Sequence, residues 1–184
     1  IKPIIGSEVH IAPVICNADW YKSLGVEPPE LLAFHLTLLA QDDRGYKSLI
    51  KVVSNGYENL VNDMPIVDPN IFKKHVDGLL AMSACLLGEL GNLLILRQQI
   101  NSEQLKCEHD SPVEFVEKAI ESWLDWYVST FSQDNAFVEL IDNNLAPQKK
   151  ILPELAAIAQ KANIKRVATA DAHYLAPSDR DAHA

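Results

Sequence analysis

Residues 167–175 have the sequence Val167-Ala168-Thr169-Ala170-Asp171-Ala172-His173-Tyr174-Leu175, an apolar run followed by an acid and an imidazole two residues apart. The apolar run is typical of a buried strand, whose end would carry both polar side chains. In an extended segment, side chains at positions i and i+2 project to the same side. An Asp and a His that share one space suit a metal ion or an acid/base pair. Alone the motif is weak, because such pairs also occur in ordinary turns and salt bridges.

Strand-like and helix-like segments alternate outside this stretch. Short apolar runs predict strands at residues 4–11, 34–40, 79–84, 136–141 and 166–170. Helical spacing or start signals predict helices at residues 45–57, from 68 to about 75, from 111 through 127, and 148–162. The third helix opens with an apparent capping box, Ser111-Pro112-Val113-Glu114, and carries an aromatic stripe typical of core packing. The polar stretch 97–110 is interpreted as a surface excursion. The alternation predicts an α/β fold with parallel strands, open or closed.

Composition narrows the class of protein. A chain of 184 residues that is 48% hydrophobic can bury the core of a single domain. No apolar run approaches the roughly 18 residues of a membrane span, and no signal peptide opens the chain, so we expect no membrane partner. Three widely spaced cysteines predict reduced thiols in a cytoplasmic protein: Cys16, Cys85 and Cys107. The net charge of -9 argues against a surface that binds nucleic acid by itself.

Several residues of the metal-ligand type fall at or near predicted strand ends, namely Glu8, His35, Cys85, Asp171 and His173. Functional side chains gather at the carboxyl ends of parallel strands in α/β folds. His35 lies early in its strand, so it would need a strand that runs the other way or an approach from a loop.

Each of these residues also has a purely structural interpretation. Glu8 would be an exposed strand residue, His35 a core or edge histidine, and Cys85 a small buried hydrophobe. Two further groups are interpreted as non-functional at this point. Glu139 alternates with apolar neighbours and is interpreted as facing solvent or forming a salt bridge. The remaining histidines considered are interpreted as solvated: His10, His75 and His109.

Segments spread over nearly the whole chain carry a family resemblance. They are Ile1-Lys2-Pro3-Ile4-Ile5-Gly6-Ser7-Glu8, Phe34-His35-Leu36-Thr37-Leu38-Leu39-Ala40, Gly78-Leu79-Leu80-Ala81-Met82-Ser83-Ala84-Cys85-Leu86, Phe137-Val138-Glu139-Leu140-Ile141, the stretch 167–175 and Asp181-Ala182-His183. In this order they resemble the PHP (polymerase and histidinol phosphatase) domain of the alpha subunit of bacterial replicative DNA polymerase III. No single segment is specific, but the set is.

The resemblance implies a distorted seven-stranded β/α barrel, similar to a TIM barrel, whose strand ends hold divalent metal ions, zinc or manganese with magnesium as a further option. It aligns five residues with metal-ligand positions: Glu8, His35, Cys85, Asp171 and His173. The implied chemistry is a metal-activated water that cleaves phosphodiesters in 3′ to 5′ exonucleolytic proofreading. The implied partners are DNA, reached through the parent polymerase, and other replicase subunits.

The same resemblance sets expectations for the limits of the chain. The family's first motif, His-x-His, would lie before Ile1, and the sequence ends within what resembles a helix. We therefore expect residues 1–184 to form one partial PHP domain, a truncated barrel. We also expect little nuclease activity from this chain alone, because a metal site that lacks part of its ligands binds metal weakly.

Three alternative functions stay open at this stage. The domain would be a non-catalytic scaffold that docks a separate proofreading exonuclease, although the retained ligand residues argue against complete decay of the site. A stand-alone PHP-family phosphatase acting on histidinol phosphate fits less well, because residues 34–57 resemble the polymerase branch. The related error-prone polymerase fits less well than the replicative form, which Asp181-Ala182-His183 favours.

Overall fold

The computed structural model describes the backbone of residues 3–183 and the side chains of residues 3–182. Within these residues, seven strands form one mixed sheet in the order β3-β4-β1-β2-β5-β6-β7. The strands are β1 (Gly6–Ile11), β2 (Phe34–Ala40), β3 (Leu60–Val61), β4 (Met64–Val67), β5 (Leu79–Met82), β6 (Ala136–Ile141) and β7 (Lys165–Thr169). All five predicted strands are present, and β2 and β6 have the predicted bounds. The α/β class and the seven strands are therefore confirmed.

The predicted parallel arrangement is wrong for part of the sheet. Strand β2 runs antiparallel to both of its neighbours, β1 and β5, and β3 runs antiparallel to β4. The other neighbouring pairs are parallel. Alternation of strand and helix in a sequence does not specify strand direction, because a helical connection can return the chain either way. Strands β3 and β7 lie at the two edges and do not pair with each other in the described residues, so the sheet is open there.

The described residues also form six α-helices: α1 (Ala18–Leu24), α2 (Asp43–Glu58), α3 (Glu89–Asn101), α4 (Pro112–Phe131), α5 (Ala146–Lys161) and α6 (Arg180–His183). A 3₁₀ turn at Pro69–Lys73 stands where a short helix was predicted. Helices α1 and α3 were not predicted, and α3 covers the first part of the supposed surface excursion. Its buried residues are spread over most of its circumference, so it has no amphipathic period to detect. None of the described helices is long and apolar enough to cross a membrane.

Helix α4 begins at the predicted proline, but its predicted capping box does not form. The Ser111 side chain makes no capping hydrogen bond, and its backbone N–H donates to His109 Nδ1 at 3.0 Å. Glu114 instead lies 2.9 Å from Lys118 Nζ, one helical turn further on. The predicted aromatic core packing is confirmed, since Trp123 and Tyr127 are buried and stacked at 4.6 Å.

The two faces of the sheet have different roles. Alternate strand residues such as Val9, Leu36 and Val138 are buried in one continuous core with side chains of α2, α3 and α4. The opposite face, here called the site face, carries Glu8 and Thr37, which lie directly opposite each other across β1 and β2. Helices α2, α3 and α4 thus cover one face, while the site face holds polar and titratable side chains.

Candidate metal centre

Three ligand-type side chains converge on the site face although they are far apart in sequence. Glu8 Oε1 lies 2.9 Å from His35 Nδ1, and Cys85 Sγ lies 3.8 Å from the same nitrogen. One ligand atom from each residue lies within 4.8 Å of the other two. Within the described part of the chain, no other group of three His, Cys, Asp or Glu side chains is this compact.

The reversed direction of β2 brings Glu8 and His35 together. Because β1 and β2 are antiparallel, the start of β2 lies beside the end of β1, and His35 pairs with His10. Glu8 follows Gly6 on the same face, two residues before His10. His35 lies early in β2, and because β2 runs opposite to β1, this position places His35 beside the end of β1 and close to Glu8.

Cys85 reaches the group from a turn rather than from a strand. Strand β5 ends at Met82, and Ala84 has a φ of 61°, in the left-handed region. This turn is tied to β2, because the backbone N–H of His35 donates to the carbonyl of Leu87 at 3.0 Å. The backbone of His35 therefore holds the turn that carries Cys85.

The charges within the group reinforce one another. The pKa of His35 is raised to about 9, first by its hydrogen bond with Cys85 and then by Glu8. The pKa of Glu8 is lowered, chiefly by the hydrogen bond with His35. A protonated His35 thus supplies, next to Glu8 and Cys85, the positive charge that a bound cation would otherwise supply. Metal ions and protons compete for such groups, since imidazole must be neutral to ligate.

The same three residue types could suggest a cysteine nucleophile with a His–Glu relay. In such a triad the acid and the nucleophile contact opposite nitrogens of the imidazole. Here Glu8 and Cys85 both contact Nδ1 of His35. The arrangement therefore favours a shared cation over a proton relay. A carboxylate, an imidazole and a thiol form a donor set that suits a borderline divalent ion such as Zn²⁺.

Asp171 and His173 line the same cavity as Glu8 and Cys85, a space of about 440 Å³. They are not part of the compact three-residue group. The predicted strand-end geometry is wrong for them, because β7 ends at Thr169 and Asp171 has a φ of 50°. Asp tolerates this left-handed conformation better than most residues. The pair lies in a turn that follows the strand, and its role as a ligand pair stays a prediction.

The turn nevertheless orients His173. Its Nδ1 lies 2.8 Å from the backbone carbonyl of Asp171 and 4.0 Å from that residue's carboxylate. Because a carbonyl oxygen only accepts, this contact is a hydrogen bond only when the proton is on Nδ1. Metal-ligating histidines commonly have their second nitrogen fixed in this way.

Glu139 was interpreted as facing solvent or forming a salt bridge, and this is wrong. Only 6% of Glu139 is exposed, and it lines the cavity beside Cys85 and Asp171. Burial is the main reason that its pKa is raised. The signal that could have found it is the period-2 pattern, since its neighbours on the same face, Phe137 and Ile141, are apolar.

His10 was interpreted as solvated, but it packs against the group. Its ring centroid lies 4.7 Å from that of His35, with the two rings nearly perpendicular. Burial and the neighbouring His35 lower the pKa of His10. His10 therefore supports one side of the His35 ring.

Comparison with known proteins identifies the family of the chain. The PHP domain family matches residues 1–143. The chain is 35% identical to the DNA polymerase III subunit alpha of Deinococcus radiodurans over 184 residues, all of this chain and 12% of that protein. It is 31% identical to the corresponding subunit of Thermus aquaticus and 32% identical to that of Aquifex aeolicus, in each case over 183 residues, with 100% of this chain covered. These alignments cover 13% and 14% of the two relatives, so the chain spans about an eighth of their length. The chain belongs to the PHP domain family, and over its whole length it is homologous to the N-terminal region of DNA polymerase III alpha subunits.

Proposed function

We propose that this chain is the PHP domain of a bacterial replicative DNA polymerase and that Glu8, His35 and Cys85 hold a divalent metal ion, zinc or manganese. The observation that carries the proposal is their convergence, with one ligand atom of each within 4.8 Å of the others. Asp171 and His173, which line the same cavity, would add ligands from a second element. A structural role alone would not require an acid, an imidazole and a thiol to share one point on a half-exposed sheet face.

The residues of the cavity suggest what the site could do. Glu8, Glu139 and Asp171 place three carboxyl groups along its wall, and a phosphodiester entering it would be repelled unless a cation intervened. When bound, a divalent ion supplies that positive charge and acidifies a water. Glu8 and Cys85 would bind the ion, and His35 would give up its proton to do so. A cavity of about 440 Å³ is within the range of small-molecule sites, so it could admit one terminal nucleotide.

In the intact polymerase we infer that this site supports 3′ to 5′ removal of nucleotides at the end of a DNA strand. The protein would act in the bacterial cytoplasm with DNA and other replicase subunits, and nucleotide addition would be performed elsewhere in the polymerase. A scaffold that docks a separate exonuclease is the second candidate. The open sheet favours it, because residues 170–173 of the cavity wall belong to a turn that follows an edge strand. A stand-alone phosphatase is disfavoured, because the relatives matched are polymerase subunits.

The test is metal binding by matched cysteine variants. Zinc and manganese binding are measured by equilibrium dialysis for the protein and for Cys85→Ser, with Cys107→Ser as the control for loss of a thiol. We expect Cys85→Ser and Glu8→Gln to weaken binding strongly and Cys107→Ser to leave it unchanged. Equal binding by Cys85→Ser and the control would overturn the proposed site.

Catalysis is tested separately in the polymerase polypeptide that contains the domain. Chelator-sensitive degradation of single-stranded DNA, lost in Glu8→Gln, would support the nuclease. Metal binding without any such degradation would favour the scaffold.

A further inference from the structure

Glu139 is the only buried side chain in the described residues with an oxygen that has no hydrogen-bond partner. Its Oε1 accepts a hydrogen bond from Thr169 Oγ1 at 2.5 Å, while Oε2 is buried and unpaired. Leaving a buried polar atom unpaired is unfavourable, by about 1–3 kcal/mol for a typical group. An apolar residue at this position would avoid that penalty, so the fold itself does not explain a glutamate here.

On one side Glu139 contacts the turn that carries Cys85. The backbone N–H of Ser83 donates to the carbonyl of Phe137 at 3.1 Å, and the backbone N–H of Glu139 donates to Ser83 Oγ at 3.0 Å. The hydroxyl of Ser83 thus accepts the hydrogen bond that a backbone carbonyl would accept if β5 continued. The chain can therefore leave the sheet at Ala84. The backbone N–H of Ala84 also interacts with the Glu139 carboxylate and favours its charged form.

On the other side Glu139 contacts the strand end that leads to Asp171. Thr169 is the last residue of β7 and pairs with Ile141 of β6. Its hydroxyl donates to Glu139, and two residues later the chain enters the left-handed conformation of Asp171. Strand β6 therefore links the two turns through one residue, whose carboxylate contacts Ala84 and Thr169 and whose backbone N–H contacts Ser83.

We propose that Glu139 is a positioning residue that fixes the Cys85 turn relative to the Asp171–His173 turn, so that both turns face one metal ion. The inference rests on the proposed metal site and assigns no direct metal contact to Glu139, which is absent from the compact ligand group. The Glu139 carboxylate acts through the Ala84 N–H on one side and through Thr169 on the other, whereas the Ser83 contact is made by the Glu139 backbone and is kept when the side chain is replaced. The unpaired Oε2 is unfavourable, and the role of Glu139 in holding both turns explains why a glutamate is present despite this cost.

A positioning role and a structural role predict different results for the same variants. Replacement of a buried, incompletely paired charge by an apolar residue of similar size is often neutral or stabilising. Glu139→Met should therefore melt at or above the temperature of the unchanged protein in excess chelator. Metal binding should weaken about 10–100-fold, the range found when groups that orient metal ligands are removed.

The experiment uses Co²⁺ as a spectroscopic probe of the thiolate–metal bond. Cobalt is titrated into the protein and into Glu139→Met, Thr169→Val and Thr169→Ser, and the thiolate-to-cobalt absorption band is recorded. We expect a weaker affinity and an altered band in Glu139→Met and Thr169→Val, and near-normal values in Thr169→Ser, which keeps the hydroxyl. Cys85→Ser should lose the band entirely.

The outcomes separate the two levels of the proposal. If Glu139→Met and Thr169→Val bind cobalt as the unchanged protein does, while Cys85→Ser loses the band, the metal site stands and the positioning role is wrong. If Glu139→Met fails to fold, the comparison of cobalt binding between Thr169→Val and Thr169→Ser tests the positioning role by itself. If the unchanged protein shows no thiolate band, the proposed metal site fails and the inference fails with it.

Discussion

The Glu8 carboxylate lies 2.9 Å from His35 Nδ1, and the two residues belong to neighbouring antiparallel strands. Cys85 contacts the same nitrogen from a third element. Because the contact depends on strand register, a shift by one residue would send Glu8 to the opposite face of the sheet.

This contact predicts how the stability of the metal-free protein depends on pH. The pKa of His35 is raised from 6.5 to about 9, by Cys85 first and then by Glu8. The stabilisation is therefore complete below pH 6.5 and is lost as the pH rises to about 9. The pKa of Glu8 is lowered from 4.5, so its contribution is lost in acid. Melting temperatures in chelator should fall between pH 6.5 and 9, and less steeply in Glu8→Gln. Glu27→Gln, an exposed control, should follow the unchanged protein, and equal slopes in both variants would refute the coupling.

Asp171 and His173 should matter for metal binding and little for folding. His173 is exposed, and Asp171 has a φ of 50° that Asn also tolerates. The double variant Asp171→Asn, His173→Ala should melt close to the unchanged protein in excess chelator. With zinc present it should lose part of the stabilisation that a ligand confers on the native state. Strong destabilisation in chelator would instead assign the pair a structural role.

Glu89 should contribute strongly to the stability of the fold. It is 2% exposed, and its carboxylate accepts backbone N–H groups of Val14, Ile15 and Cys16 at 3.0, 2.8 and 2.7 Å. Glu89→Ala would leave these donors unpaired, at about 3 kcal/mol of unfolding free energy. Urea denaturation measures this loss. Glu121→Ala, at an exposed site of α4, should change stability by less than about 0.5 kcal/mol. Similar midpoints for the two variants would contradict the prediction.

Two glycines in α2 should respond oppositely to alanine. A Cβ on Gly45 would lie 2.0 Å from the carbonyl oxygen of Gly78, whereas a Cβ on Gly56 would lie 3.3 Å from Val67 Cγ2. Gly45→Ala must displace backbone, and we expect a loss of about 1–3 kcal/mol, as for an overpacked core. Gly56→Ala needs only a small shift of a methyl group and gains helix propensity. Urea midpoints measure both, and a Gly45→Ala protein as stable as Gly56→Ala would contradict the close approach.

The local sequence pattern was sufficient to predict the strands and helices that have a clear hydrophobic period or a clear boundary. Strands β2 and β6 alternate between the two faces and have the predicted bounds. Helix α3 and the short pair β3 and β4 were not found, because a helix buried on most sides and strands of two to four residues have too little periodicity. Strand direction is set by packing of the connections and is not encoded in a local pattern.

The candidate site was only partly accessible from sequence. Residue type and family resemblance selected Glu8, His35 and Cys85, but their convergence depends on the antiparallel register of β1 and β2. The left-handed backbone at Asp171 has no distinct sequence signal, because Asp occurs in many conformations. Glu139 was set aside, since a glutamate in a strand usually faces water.

The edge position of β7 gives the two walls of the cavity unequal support. Glu8, His35 and the Cys85 turn are held by β1, β2 and β5, which have a paired neighbour on each side, whereas β7 pairs only with β6 in the described part of the chain. Local opening of an edge element needs less free energy than opening of the sheet centre. Amide hydrogens of β7 should therefore exchange before those of β2. If Glu8, His35 and Cys85 hold an ion as proposed, that ion would stay bound while the turn of Asp171 and His173 opens and closes, and water would reach it without loss of the metal.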